Sequence, residues 1–293
     1  MKKLLLFALL ALASCGSPAP APKLEDADPA LWVVKDADTT IYLFGTVHAL
    51  KPGLSWFDEA VEQAFDRSDS LVLELVLPPE QELQALVMEL GTAQDMPPLS
   101  RQIPADEAAK LRAALESAGQ SGDSLDGLEP WLAAVMLANL PAQNAGYDAK
   151  DGAEAVLTAA ARAAGKPVTG LETAREQFGY FDRLSMPAQR ALLIETLDGM
   201  PDSARTLDQI VARWRVGDAD GIAKLLNEDL AKAPELANAL LLTRNRHWAD
   251  WIAGRMKQPG TVFIAVGAGH LAGGQSVLAE LAKRGFKVTR VTY

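Results

Sequence analysis

The chain has 293 residues, 49% of them hydrophobic, with 28 Lys+Arg against 38 Asp+Glu and a formal charge of −10. That length and apolar content suffice for a substantial core, as one large domain or two lobes. The acidic balance argues against nucleic acid and anionic lipid surfaces as partners, and a single cysteine, Cys15, excludes an internal disulfide or thiolate chemistry in the body.

Met1-Lys2-Lys3, an unbroken apolar run from Leu4 to Ala13, and then Ser14-Cys15-Gly16 have the order of a secretory signal peptide, too short to span a bilayer as a stable helix. Leu12-Ala13-Ser14-Cys15 has the form of a bacterial lipobox, in which Cys15 is lipidated and residues 1–14 are removed. An ordinary cleaved signal with an incidental cysteine is the plainer alternative. Residues 15–29, containing Ser17-Pro18-Ala19-Pro20-Ala21-Pro22, read as the lipidated cysteine and a flexible tether. Loss of Lys2 and Lys3 with the leader takes the charge from −10 to −12. The expectation is a periplasm-facing lipoprotein held to a membrane through Cys15. Gly16, in place of the aspartate that signals inner-membrane retention, favours the outer membrane.

Leu31 to Lys35 and Thr39 to Phe44 read as a hairpin of two strands joined at Asp36-Ala37-Asp38. The second strand ends in Gly45-Thr46-Val47-His48. Trp56 to Arg67 has helical spacing, and Ser70 to Leu77 is an apolar run broken only by Glu74, as in a strand buried on both faces. From Pro79 to about Lys166 the pattern is helical, with interruptions at Met96-Pro97-Pro98, at 118–126 and at Pro141. A short strand from Lys166 to Leu171 leads to Glu172-Thr173. Helical pattern resumes from Ala174 to Met256, broken at Pro187, Pro201, Gly217 and Pro234. The close is βαβ: strand Thr261 to Val266, then Gly267-Ala268-Gly269-His270, helix Gln275 to Lys283, Gly285 as a stop, and strand Lys287 to Val291. The fold class is therefore α/β, one domain over residues 30–293. Its mixed central sheet comes from the N- and C-terminal segments, with a large helical insertion at about 79–256.

Two of three histidines, His48 and His270, thus follow the same strand-Gly-x-x-His pattern. The glycine allows a sharp turn, with positive φ if needed, and the histidine projects at the sheet edge where open α/β sheets bind ligands. Each alone is as readily a satisfied core or surface histidine. A carboxylate at Glu74 inside a buried strand needs a partner, a proton or a metal. His48, Glu74 and His270 make a donor set for Zn²⁺, Mn²⁺ or Co²⁺ with an open position for water; without metal they would be a general base and its orienting partners. Glu172 reaches the same edge or complements a helix N-terminus. Arg244 binds a substrate carboxylate or a buried acid such as Glu74, or is simply exposed, and shares a helix face with Trp248. His247 reads as structural or exposed, and Asp148 as a helix cap. No phosphate loop or Gly-x-Ser-x-Gly nucleophile elbow is present.

Gly45-Thr46-Val47-His48, Glu74 in its strand, Gly170-Leu171-Glu172-Thr173, Arg244-Asn245 and Val266-Gly267-Ala268-Gly269-His270-Leu271, in this order from about residue 30 to 293, resemble the TraB/PrgY/GumN family, related to the Tiki metalloproteases. Where many members resemble Gly-Ile-Asp or Gly-Val-Asp, this chain has Gly152-Ala153-Glu154. The resemblance implies an erythromycin-esterase- and ChaN-like α/β core. It also implies catalytic residues His48, Glu74 and His270, supported by Arg244 and Glu172, and a divalent metal on His48, Glu74 and His270. The resulting expectation is a metal-dependent hydrolase, a peptidase acting through metal-activated water on a peptide or small-molecule substrate. The alternatives are a metal-independent esterase-like hydrolase and a non-catalytic ligand-binding lipoprotein.

Overall fold

The computed structural model describes residues 24–230 and 233–293. The expected signal peptide, Cys15 and most of the expected tether lie outside the described residues. The packed chain begins before residue 30, the expected end of the tether. β1 (Glu25–Asp26) pairs in parallel with β4 (Leu54–Ser55), and Ala27 is buried. These backbone bonds and one buried methyl hold the segment against the domain.

The main sheet has six strands. β2 (Leu31–Lys35) and β3 (Thr39–Thr46) form the expected antiparallel hairpin. β5 (Ser70–Leu75), β6 (Val168–Glu172), β7 (Gly260–Gly267) and β8 (Val288–Arg290) complete it in the order β6-β5-β7-β3-β2-β8. β6, β5, β7 and β3 are mutually parallel, and β2 runs against both of its neighbours. β7 and β8 are therefore a parallel βαβ pair whose crossover, through helix Val277–Lys283, passes β3 and β2. The sheet is mixed, as the sequence suggests, and its strands come from both ends of the chain. β6 also joins it from the middle of the helical region, so the insertion is not purely helical.

Strand alternation sends Phe44, Leu73, Phe263 and Ala265 to one face, with Trp56, Phe65 and Trp214, and sends Leu43, Val72, Ile264 and Val266 to the other, with Trp248, Ile252 and Leu281. Each face is covered by helices, which explains the continuous apolar runs of β5 and β7. By the same alternation Glu74 lies on the face of Val72, under helix Thr243–Arg255. The helices of the middle build a separate core around Leu111, Leu115, Leu137, Leu193 and Leu197. Pro141 does not break its helix, which spans Pro130–Asn144. In the last turn the missing N–H removes only one ladder bond. β5 ends at Leu75, two residues short of the expected run, and Val76 and Leu77 are exposed. Among the described residues no helix is long and apolar enough to cross a membrane.

Candidate functional site

Four parallel strands deliver one group each to their carboxyl ends, in the order β6, β5, β7, β3: Glu172 ends β6, Glu74 lies one residue before the end of β5, His270 follows β7, and His48 follows β3. This is the edge at which open α/β sheets bind ligands. The two signature glycines supply room and not unusual backbone. Neither Gly45 nor Gly267 has positive φ, contrary to one use the sequence allows for them. A Cβ on Gly267 would stand 3.1 Å from Oε1 of Glu74 and 3.5 Å from Nε2 of His48, so its absence lets strand end, carboxylate and imidazole close together. The backbone N–H of Gly267 donates to Glu74 Oε1 at 2.6 Å.

Arg244 enters from helix Thr243–Arg255, directly after a wide π turn at Asn238–Leu242. It is buried, and each of its three nitrogens is engaged. Nη2 donates to Glu74 Oε2 at 2.8 Å, Nε to Glu172 Oε1 and Oε2 at 2.9 and 3.1 Å, and Nη1 meets His270 Nε2 at 3.1 Å and Leu240 O at 3.3 Å. One turn on, Trp248 stacks under the guanidinium, 4.7 Å from ring centroid to Cζ, and its Nε1 donates to Glu172 Oε1 at 3.0 Å. Asn245 Nδ2 donates to Gln275 O, which turns Oδ1 toward His270 Nδ1 at 2.6 Å. His270 therefore carries its proton on Nδ1 and presents a lone pair at Nε2, where Arg244 donates.

His48 is different, because water reaches it: its side chain is 69% exposed. Its Nδ1 lies 2.6 Å from Oε1 of Glu154, which also accepts from Thr46 Oγ1 at 2.5 Å. Glu154 sits in the first turn of helix Ala153–Ala163. A Cβ on Gly152 would come within 2.1 Å of the His48 carbonyl oxygen, so only glycine lets that helix approach the strand end so closely. A carboxylate can only accept, so the neutral ring is an Nδ1–H tautomer with Nε2 free as the base.

The charges follow from these contacts. Burial pushes Glu74 up, but the positive groups His270, Arg244 and His48, with the Gly267 amide, push harder and hold it at about 2. Burial, with Arg244 adding to it and Glu74 opposing, lowers His270 to about 3. A neutral His270 exerts no charge near neutral pH, so Arg244, with protonated His48 beside it, keeps Glu74 ionised. At His48 desolvation opposes protonation. The hydrogen bond and charge of Glu154, with Glu74 farther off, outweigh it and raise the pKa to about 9.

The residues do not fit a divalent metal in this arrangement. The lone pairs that His270 Nε2 and Glu74 Oε2 would offer are both directed at Arg244, a permanent cation. Among the described residues no group of three or more His, Cys, Asp or Glu is arranged to hold a metal ion.

All five expected site residues, His48, Glu74, Glu172, Arg244 and His270, are thus brought to one sheet edge. His247 is exposed, and Asp148 caps the 3₁₀ turn Ala149–Asp151 by accepting from Lys150 N at 2.9 Å. Glu172 precedes helix Ala174–Asp182, whose capping box is Thr173 and Glu176, and turns its carboxylate to Arg244 and Trp248. Sequence reasoning gave no role to Asn245 and left that of Glu154 open; the quoted Arg244-Asn245 and Gly152-Ala153-Glu154 segments carried the available signal. Beside Glu172 opens a cleft of about 570 Å³ lined by Val76, Leu86, Gly170 and Leu171, under helix Glu80–Gly91.

A family model, the TraB/PrgY/gumN family, matches residues 30–290 of the chain. No curated protein and no solved structure matches it.

Proposed function

The chain belongs to the TraB/PrgY/gumN family, and from its site we propose that it is a lipid-anchored hydrolase of the cell envelope in which His48 activates water. The envelope placement is supported by the leader, the lipobox form of Leu12-Ala13-Ser14-Cys15 and the Pro/Ala stretch that follows. The reaction is supported by one observation above the others: the solvent-reached imidazole of His48 is oriented by a 2.6 Å bond from Nδ1 to Glu154.

In this reading Nε2 of neutral His48 takes a proton from water as that water attacks a carbonyl carbon of a peptide or ester. The positive charge that then forms on the ring is stabilised by Glu154 through Nδ1–H, and the same proton is returned to the leaving group. Thr46 and Gly152 keep Glu154 in place. Arg244 and Glu172 fix the orientation of Glu74, whose charge adds to the stabilisation of imidazolium.

The metal-dependent peptidase suggested by the family resemblance is a second reading. What supports it is the convergence of His48, Glu74 and His270 around Gly267 and Arg244. The mature protein, assayed on peptide and ester panels with and without a chelator, separates the two. The first reading expects turnover that survives chelation and disappears in His48→Ala. Loss of turnover on chelation, with recovery on Mn²⁺, Co²⁺ or Zn²⁺, would overturn it. Saturable binding with no product on any panel would leave a ligand-binding lipoprotein in its place.

A further inference from the structure

We infer that the Arg244 guanidinium fills the cation position between Glu74 and His270, so that the native protein excludes divalent metal and carries in the same residues a latent metal site. The inference stands on the geometry of Arg244 and not on which bond the protein cleaves.

His270 and Glu74 each have the features of a buried metal ligand, and a guanidinium stands where the ion would. His270 has its Nδ1–H held by Asn245 Oδ1 at 2.6 Å, and Asn245 is itself anchored on Gln275 O. In metal sites this kind of outer partner fixes the imidazole tautomer and aims Nε2 inward. Glu74 is ionised, and its two oxygens are fixed by the Gly267 amide and Arg244. His270 Nε2 stands 3.8 Å from Glu74 Oε1, and His48 Nε2 lies across Gly267 from the same oxygen. A Zn²⁺-like ion takes histidine nitrogen and carboxylate oxygen at ~2.0–2.2 Å. Here the group meeting those two donors is a guanidinium, at 3.1 and 2.8 Å.

A guanidinium cannot yield that place by losing a proton, because it stays charged at any accessible pH. Nor does it swing out at low cost. Glu172 grips Nε through both oxygens, Leu240 O holds Nη1, and Trp248 lies against its face. Arg244 thus balances the same two buried carboxylates that a divalent ion would balance. With the guanidinium removed, Glu74 and Glu172 face each other across a space lined by His270 Nε2, and a 2+ ion is the simplest replacement charge.

The test is metal binding to the purified mature protein, stripped with chelator and titrated with Co²⁺ by visible absorption and with Mn²⁺ by electron paramagnetic resonance. Wild type should show no stoichiometric site. Arg244→Ala should bind one equivalent at least about a hundredfold more tightly, since a repelling unit charge a few ångströms away has gone. Arg244→Lys, which keeps a charge, should stay metal-poor, and Arg244→Ala/His270→Ala should lose the new site. Folded Arg244→Ala that binds no better than wild type overturns the inference. So does wild type that binds one equivalent in a His270-dependent way. If Arg244→Ala does not fold, that wild-type titration decides alone: no site supports the inference, and a His270-dependent site ends it.

Discussion

Asn245 Oδ1 lies 2.6 Å from His270 Nδ1, a neutral amide where the other signature histidine has a carboxylate. It fixes the proton of His270 on the far nitrogen and commits Nε2 to Arg244, inside the protein. His48 has a carboxylate at the same ring position and its Nε2 left open. Two copies of one sequence motif therefore hold one imidazole whose Nε2 is engaged inside the protein and one that is exposed to solvent.

His48→Ala should lower turnover by roughly 10²- to 10⁴-fold, the usual share of a general base. The fold should survive, because the side chain is solvent-exposed and Thr46 still donates to Glu154, with some stability lost along with the His48–Glu154 pair. Circular dichroism and steady-state kinetics on the same preparation check both halves; unchanged kcat/KM would remove His48 from the chemistry.

The pH profile carries the signature of Glu154. With His48 raised to about 9, kcat/KM should climb with pH and level off above that value, since the base form appears only there. Glu154→Gln keeps the shape but not the charge, and should move the limb down toward the ordinary 6.5 while lowering the plateau. A limb that stays near 9 in this variant would show that another group titrates.

Acid stability should report His270. Its folded pKa of about 3 is depressed from 6.5, so the unfolded chain binds a proton first and stability is lost as pH falls through that window. Glu74, depressed from 4.5 to about 2, contributes its own loss only below 4.5. His48, raised, has its full stabilisation below 6.5 and loses it as pH rises through about 9. Between pH 6.5 and 4.5 His270 is therefore the member of the site that titrates, with a slope up to about 1.4 kcal/mol per pH unit. Denaturant titrations should show a shallower slope in that interval for His270→Gln than for wild type.

The close-approach glycines can be tested without any change of backbone preference. Gly267 and Gly152 have φ of −49° and −64°, which alanine accepts, so substitution there probes space alone. Gly267→Ala places a Cβ 3.1 Å from Glu74 Oε1 and should cost about 1–3 kcal/mol together with most activity. Gly152→Ala, at 2.1 Å from the His48 carbonyl oxygen, should displace the His48 loop and be the more damaging of the two. Wild-type activity in both would mean that the strand ends tolerate far looser packing.

Helix Glu80–Gly91 is held over the cleft in part by an exposed bidentate pair, Arg175 with Glu89 at 2.7 and 3.0 Å. Only Gly91 of this helix is buried. Arg175→Ala should leave global stability within about 1 kcal/mol, as for most surface pairs, yet speed amide exchange in residues 80–91. Unchanged exchange there would mean that the pair does not hold the helix down.

Much of this site is legible in the sequence because strand ends are. Gly45 to His48 and Val266 to Leu271 follow β-like apolar runs, and Glu74 betrays itself as a charge inside one. Partners across the sheet are only partly legible: Arg244 with Glu74 is among the contacts the sequence allows, and Arg244 with Glu172 is not. That Glu172 and Arg244 meet depends on β6 joining β5 and on a helix 72 positions later crossing the same edge. Glu154 and Asn245 look like ordinary helix residues, and nothing in local pattern says that their side chains are second partners to imidazoles. Pro141 misleads for a local reason: proline breaks helices in their interior, and it stands in a last turn. The tether fares likewise at its inner end, since backbone pairing of Glu25 and Asp26 leaves no compositional trace.

The ladder between β3 and β7 pairs residues 39–46 with residues 260–267, and it brings the His48 and His270 loops to one sheet edge. During synthesis and folding, the first half of the site must wait for almost the whole chain before its other half exists. Contacts of such sequence separation form late and slowly. The site is therefore incomplete in any form of the chain that ends before β7, and its geometry exists only once the sheet has closed.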